Sequence, residues 1–451
     1  MPRTAEQLRD DAKNIWLAGL RGVDSTRLVR EHMQVDGERL CIGDVTIDLG
    51  DVERIAIVGA GKAGAGMAAA VEQILGEALL EQKQVVGWVN VPANCIEPLK
   101  RIRLHAARPA GQNEPTAAGV LGTGEIERIV ASLSPRDLCI CLISGGGSAL
   151  MPAPIDGVTL EDKVAVTRHL SAAGANIEQL NTVRRRLSRL KGGGLAAVCG
   201  AGRLISLVIS DVIGDPLAVI ASGPTVYDAS PAAAALEVLD TFDAAGGGIA
   251  RSVFDAITKA PSKPRPKCAV TNVIIGNNAT AVDTAGVEAE RRGYSHAMIA
   301  ATTLEGAAEQ VGSHLADMAQ SMRDGPGPDC LISGGEPVVE LIDAAQRGLG
   351  GRNQQLVLAA LKQLGDCHGI SLLSGGTDGE DGPTDAAGAM VDAAVVAEAR
   401  RQQLAPTDYL DRNDAYHFFE QTDGLIKTGP TDTNVCDVRV VVVDRVAAEG
   451  V

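Results

Sequence analysis

Aromatic side chains are scarce in this chain of 451 residues: four Phe, four Tyr and two Trp, 2% of the total. Single-stranded nucleic acid would find few platforms to stack on. Positive charge is outnumbered too. Lys plus Arg is 41 against 57 for Asp plus Glu, a net charge of −16, which repels a polyanion unless the basic residues gather in one place. Both deficits argue against nucleic acid as a partner. No run approaches 18 consecutive apolar residues, so no membrane span is expected. Residues 1–20 carry Glu6, Asp10 and Asp11 without a continuous apolar stretch, unlike a secretory signal. The nine Cys contain no C-x-x-C, and reduced thiols in a cytoplasmic protein are expected. The seven His show no H-E-x-x-H or zinc pattern. No Gly-x-Ser-x-Gly surrounds Ser144 or Ser148, which argues against a hydrolase elbow.

What is abundant is glycine, 52 residues or about 11.5%, against an average near 7%. The excess follows apolar runs. Short β-branched runs at 55–58, 85–89, 138–143 and 204–209 alternate with helical stretches, among them 160–171 and 181–191. That alternation indicates a parallel sheet buried on both faces. Residues 256–267 hold three prolines and four basic residues and read as a linker. Beyond them the pattern restarts, with strands at 271–275, 296–300, 329–332, 369–373 and 437–444. Two α/β domains are expected, 1–260 and 261–451.

Ser-Gly-Gly occurs after three of these strands, as Ser144-Gly145-Gly146 (continuing Gly147-Ser148), Ser333-Gly334-Gly335 and Ser374-Gly375-Gly376. Ligands of open α/β sheets bind at strand C-terminal ends. Successive amides in such turns make anion nests, and several nests together suit a polyphosphate. A plainer reading takes them as tight turns. Gly59-Ala60-Gly61-Lys62-Ala63-Gly64 is G-x-G-x-x-G between a strand and a helix. A nicotinamide site would place an acid about 20 residues on, yet the next strand ends in Asn90-Val91-Pro92. Lys62 beside a helix N-terminus suits a phosphate or carboxylate instead.

Four further stretches carry charge. Arg184, Arg185, Arg186, Arg189 and Lys191 form the densest basic cluster; on one helix, Arg184 and Lys191 would share a face, either solvated or walling an anionic substrate. Arg352 opens a helix after Gly350-Gly351, where a cation opposes the dipole, so an anionic partner is expected for it. Asp378, Glu380, Asp381 and Asp385 crowd together without a basic residue. Mg²⁺ with phosphate oxygens needs only one or two carboxylates; Asp378 and Asp385 are its candidates here, and an acidic surface loop is the alternative. Asp211 and Asp215 form a smaller acidic pair just past another strand, where an aspartate could accept a hydroxyl proton or reach a metal; a pair without a chemical role is the alternative.

The stretches VGAGKAGAGMA (58–68), LISGGGSALMPAP (142–154), LNTVRRRLSRLKGGGLA (180–196), SDVIGDPLAVIASGPTVYD (210–228), LISGGEPVVEL (331–341), GGRNQQLVLAA (350–360), LSGGTDGEDGPTDAAGAMVD (373–392) and TGPTDTNVCDVRV (428–440), in this order, resemble the class II D-glycerate 2-kinase family with a C-terminal MOFRL region. The resemblance spans nearly the whole chain. It implies transfer of phosphate from ATP, with Mg²⁺, to O2 of D-glycerate. It implies a Rossmann-like N-terminal domain with a mainly parallel sheet, a MOFRL-type α/β C-terminal domain, and an active site in the cleft between them. It also implies Lys62 and Arg352 as active-site residues, the two cations singled out above. Relatives often carry an older hydroxypyruvate reductase label, which the missing ribose carboxylate does not favour. A nucleotide or sugar-acid sensor is the other alternative.

On this reading Lys62 contacts the transferred phosphoryl group. Arg352 grips the glycerate carboxylate or the γ-phosphate, and Asp211 takes the O2 proton. Gly59, Gly61, Lys191 and the three Ser-Gly-Gly segments, with Gly147 and Ser148, hold the nucleotide. A homo-oligomer is left open. The family usually has Gly where Asp432 stands and Asn where Cys436 stands, and Asp215-Pro216 replaces a commonly acidic or polar pair.

Overall fold

Apolar, β-branched runs too short for helices have to be buried on both faces, and they build the central sheets of this computed structural model, which describes residues 2–445. An antiparallel meander comes first: β1 (Met33–Asp36), β2 (Arg39–Ile42) and β3 (Val45–Asp48). Its strands are short and half-exposed, so no apolar run announces them. Then come β4 (Ile55–Ala60), β5 (Val86–Pro92), β6 (Ile102–Arg108), β7 (Leu138–Ile143), β8 (Arg203–Ile209) and β9 (Ala269–Gly276), a six-stranded sheet of order β6-β5-β4-β7-β8-β9. β4 is parallel to β5 and β7, β5 to β6, and β7 to β8. The chain builds outward from β4, returns, and builds outward again from β7. That is the doubly wound order, with its switch point between β4 and β7.

A second six-stranded sheet holds β10 (His296–Ile299), β11 (Cys330–Gly335), β12 (Ile370–Gly376), β13 (Gly388–Val391), β14 (Leu425–Ile426) and β15 (Asp437–Val443), in the order β10-β11-β15-β12-β13-β14. This sheet is mixed. β10 is parallel to β11, whereas β15 is antiparallel to both β11 and β12. The helices Ala308–Asp324 and Arg352–Leu364 bury Leu315, Leu356 and Leu361 with Phe418 and Phe419 in its core.

Two compact units result. One is Ser25–Ile275; the other joins the residues up to Asp24 with those from Gly276 onward. The parting therefore lies elsewhere than residue 260. Strand 271–275, expected to open the second domain, is β9 and completes the first sheet. The Pro-rich stretch 256–267 begins inside the helix Arg251–Lys259 and leads into β9, so it links elements of one unit. The helix Ala5–Gly22 belongs to the other unit, where buried Trp16 donates to Gly375 O (3.4 Å).

Candidate active site

In the first unit, parallel β4 and β7 end side by side with Ala60 opposite Ile143, and the turns that follow them interlock. Gly61 N–H donates to Asn90 O (3.2 Å), Lys62 N–H to Gly145 O (2.8 Å) and Ala63 N–H to Ser144 Oγ (3.0 Å). A Cβ on Gly61 would collide with Ser144 Oγ, which explains the glycine. The Gly145 and Gly146 amides donate to no protein acceptor among the described residues. Two cations flank them. A Cβ on Gly146 would sit 3.0 Å from Arg108 Nη2 and 3.6 Å from Lys62 Cγ. Arg108, at the end of β6, is buried and donates from Nη1 to Asn113 Oδ1 (2.8 Å). Sequence reasoning missed it, because a lone Arg closing a strand carries no motif. Asp211, half-buried, follows β8 at the same C-terminal edge of the sheet.

The basic cluster is not one helix face. The helix Ile177–Arg186 stops with Leu187 as its C-cap, and Ser188 turns to bridge Pro154. Leu187 and Leu190 are both buried, which draws the chain inward. The cations separate accordingly. Arg189 chelates Glu127, Arg185 faces Asp228, and Arg186 donates to the carbonyls of Ile257 and Ala260. Lys191 lies 2% exposed, with Nζ 2.8 Å from Ser148 O and 2.7 Å from Ser148 Oγ. Burial, then repulsion from Lys163, Arg184 and Lys263, holds its amine well below the ordinary lysine range.

The second unit differs from expectation at its glycines. Ser333-Gly334-Gly335 and Ser374-Gly375-Gly376 are no turns: they are the last residues of β11 and β12. β15 runs between them, so that Arg439 lies opposite both Ser333 and Ser374, and Asp437 opposite both Gly335 and Gly376. Their amides border a ladder, and of the three segments 144–148 is the one that forms a turn.

Arg352 has the anionic partner its position called for, and that partner is internal. Its Nε and Nη2 fork onto Asp437 (2.7 and 2.9 Å), and Nη1 meets Glu336 at 3.1 Å. Burial opposes the charge, but Asp437 outweighs it and, with Glu336, raises the guanidinium further. Asp437 is fully buried. Beside it, Asp381 accepts from the N–H groups of Asn353 (3.0 Å) and Gln354 (2.9 Å), capping the helix Arg352–Leu364. Burial pushes its carboxyl up to about 7. Arg439 pairs with Glu305 (2.6 Å).

The residues named for Mg²⁺ do not fit it as a pair. Asp385 is exposed and committed to Lys427 (2.8 Å) and Tyr416 Oη (2.8 Å), while Asp378 accepts from Glu380 N–H (3.2 Å). Among the described residues no three His, Cys, Asp or Glu side chains gather as a metal site, and no helix is long and apolar enough to cross a membrane.

Residues 11–257 match a family model described as a domain of unknown function, DUF4147, and residues 329–437 match the MOFRL family. The chain is 35% identical to a glycerate kinase of Rattus norvegicus over 96% of its own length and 93% of that protein's. It is 36% identical to a D-glycerate 2-kinase of Thermotoga maritima, over 86% of this chain and 90% of the relative. The crystal structure of a glycerate kinase from Thermotoga maritima superposes with a TM-score of 0.82 at 34% identity, covering 97% of this chain and all of that one. The chain belongs to the glycerate kinase family.

Asp432, Cys436 and Asp215, all at positions where the resemblance led one to expect other residues, share one conformation: their φ values are 54°, 67° and 55°, left-handed backbone that favours Gly or Asn. The Gly and Asn that the resemblance implies at 432 and 436 would suit this backbone well.

Proposed function

We propose that this member of the glycerate kinase family transfers phosphate from ATP to O2 of D-glycerate. The observation that carries the proposal is the cradle at the β4/β7 switch point: two amides without a protein acceptor among the described residues, at Gly145 and Gly146, flanked by Lys62 and Arg108. Phosphoryl transfer asks a protein mainly for positioning and for neutralisation of equatorial oxygens, and backbone N–H groups beside two cations supply both. Lys62 contacts the transferred group, and Asp211, on the same sheet edge, receives the alcohol proton. Arg352 offers Nη1, here on Glu336, to an anionic substituent. Mg²⁺ would arrive on the nucleotide's own phosphates; no step depends on a preformed protein site for it. The O2 position follows the family resemblance and the name of the Thermotoga relative. Nine cysteines outside any disulfide suit a reducing, cytoplasmic setting.

A nicotinamide reading fares worse. Asn90, near the end of β5, is buried and engaged: it donates to Leu150 O (2.8 Å) and Thr123 Oγ1 (3.3 Å) and accepts from Trp88 Nε1 (3.1 Å). No carboxylate waits there for a ribose. The test is coupled ADP release with D-glycerate, L-glycerate and hydroxypyruvate, with and without Mg²⁺, followed by enzymatic discrimination of 2- from 3-phosphoglycerate. ADP release on D-glycerate with 2-phosphoglycerate as product is expected. NADH consumption with hydroxypyruvate and no ADP release on glycerate would overturn the proposal.

A further inference from the structure

A chain of side-chain hydrogen bonds runs inward from Ser148. Its Oγ lies 2.7 Å from Lys191 Nζ and 3.0 Å from Ser222 Oγ, and Ser222 Oγ lies 2.8 Å from Asn181 Oδ1. Lys191, Ser222 and Asn181 are at most 2% exposed, while Ser148 reaches the surface. Ser222 is delivered by an unusual turn. Ala221, Ser222 and Gly223 have φ of 50°, 62° and 62°, two of them residues for which the left-handed region is costly. Strain of this kind persists where surrounding structure holds it, and it clusters at functional sites.

The direction of the chain decides its chemistry. With Asn181 Oδ1 facing Ser222, the Ser222 hydrogen goes to Asn181. Ser148 must then donate to Ser222, and Lys191 to Ser148. This arrangement leaves Asn181 Nδ2 a buried donor without an acceptor. Turning the amide over, which changes only which atom is N and which is O, reverses every link. Nδ2 then donates to Ser222, Ser222 to Ser148, and Ser148 to the lone pair of Nζ. The two amine hydrogens point to Ser148 O (2.8 Å) and Ala221 O (3.5 Å). A stranded N–H is replaced by an under-used carbonyl, the milder defect. The depressed basicity of Lys191 favours the same polarity, since it requires a neutral amine.

We infer that Ser148 is a lysine-activated nucleophile, so that the protein can take an acyl group from a small activated carboxylic ester in addition to any phosphoryl transfer to an alcohol. Ser148 Oγ adds to the carbonyl carbon while its proton passes to Lys191 Nζ. The bond to the leaving oxygen breaks, and Nζ returns the proton to that oxygen. Water repeats the sequence on the acyl-serine and frees the acid. Serine–lysine pairs do this on unrelated folds, recognised by geometry rather than by sequence position. The Gly145 and Gly146 amides in the same turn offer donors for the oxyanion. Motif reading missed the pair because its members lie 43 residues apart.

A fluorophosphonate reports the nucleophile directly: Oγ–P forms, fluoride leaves, and the adduct stays. Full-length protein is incubated with the probe, without nucleotide or glycerate, so the outcome does not depend on the kinase reading. One adduct per chain, mapped to Ser148 and absent from Ser148→Ala, is expected, with labelling faster as pH rises. Lys191→Met should slow labelling roughly a hundredfold, the scale of a lost general base, and Asn181→Leu, which removes the amide that orients the relay and leaves the base, should slow it less. Should Lys191→Met not fold, Ser222→Ala reads the same relay. No adduct at Ser148, or unchanged labelling in a folded variant of Lys191, Asn181 or Ser222, would overturn the inference.

Discussion

The two units present opposite electrostatics at corresponding places. Where β4 and β7 end, cations collect. Lys62 and Arg108 flank a glycine turn, and Lys163, Lys191 and Lys263 donate chiefly to backbone carbonyls or hydroxyls, with no carboxylate among their bonded partners. Where β11, β15 and β12 meet, two arginines sit among Asp437, Glu336, Asp381 and Glu305. Lysines bonded to carbonyls and hydroxyls, such as Lys163, Lys191 and Lys263, are costly to bury unless an anion comes to them, whereas a forked arginine–carboxylate pair is already satisfied. The difference teaches that an arginine in an unfavourable helix position is no evidence of a ligand until its internal partners are known. Both Lys62 and Arg352 stand out in the sequence for the same reason, and only one stands beside an unused nest.

Substitution of each cation separates the two roles. Lys62→Ala should lower turnover in the ADP assay by about 10²- to 10³-fold, the scale for losing one transition-state donor. Arg352→Ala strands buried Asp437 and should cost about 3 kcal/mol of stability by urea unfolding, the low end for a broken buried pair because a third of the arginine side chain meets solvent. Pairing it with Asp437→Asn should restore most of that loss. Near-wild-type turnover in Lys62→Ala would remove Lys62 from the mechanism. Wild-type stability in Arg352→Ala would show the ion pair to be incidental.

The sequence made the first sheet readable because its strands are apolar throughout: 138–143 is β7 to the residue. It hid β6 and the meander, whose alternating or exposed residues make no run. It also hid the insertion of β15 between β11 and β12, since a strand's pairing partners are long-range and apolar composition is blind to direction. That blindness produced the error at 333 and 374, where glycines looked like turns but continue strands. The candidate site drew notice in the sequence where a residue type conflicted with its local position, as at Lys62 and Arg352. It was illegible where chemistry depends on burial and distant partners, as at Arg108, Asp437, Asn181 and Ser222.

The contrast in charge should appear as opposite pH dependences. Burial, then repulsion among neighbouring cations, lowers Lys163 to about 7 and Lys263 to about 8. An unfolded chain binds those protons up to about 10.4, so the unit Ser25–Ile275 gains stability as pH rises from about 7 to about 9; above that the Cys141, Cys199 and Cys268 thiols, held above their ordinary range chiefly by burial and by hydrogen bonds to neighbouring thiols, work against it. Asp381, raised to about 7, does the reverse. The folded form holds its proton where the unfolded chain, with a carboxyl near 3.9, has released it. The other unit therefore loses stability as pH rises from about 4 through 7. Hydrogen exchange, with rates corrected for pH, reads the units separately. Slopes of the same sign would contradict the division of charge. Lys163→Met should flatten the first slope and Asp381→Asn the second.

The smallest effect concerns backbone alone. Asp432 is exposed and held at φ 54°, where a non-glycine residue is strained by roughly 1–2 kcal/mol. Glycine removes the strain but adds freedom to the unfolded chain, worth about 0.4–1 kcal/mol in the other direction. The balance favours Asp432→Gly by at most about 1.5 kcal/mol. Asp432 follows Thr431, whose Oγ1 donates to Thr377 O (2.5 Å), and precedes Thr433, whose Oγ1 donates to Val23 O (2.7 Å), so the turn is pinned on both sides and relaxes little. A small rise in melting temperature, with ADP release unchanged, is expected. A fall would mean that the aspartate side chain stabilises the turn by more than its backbone strain costs, and that this departure from the family pattern is favourable rather than tolerated.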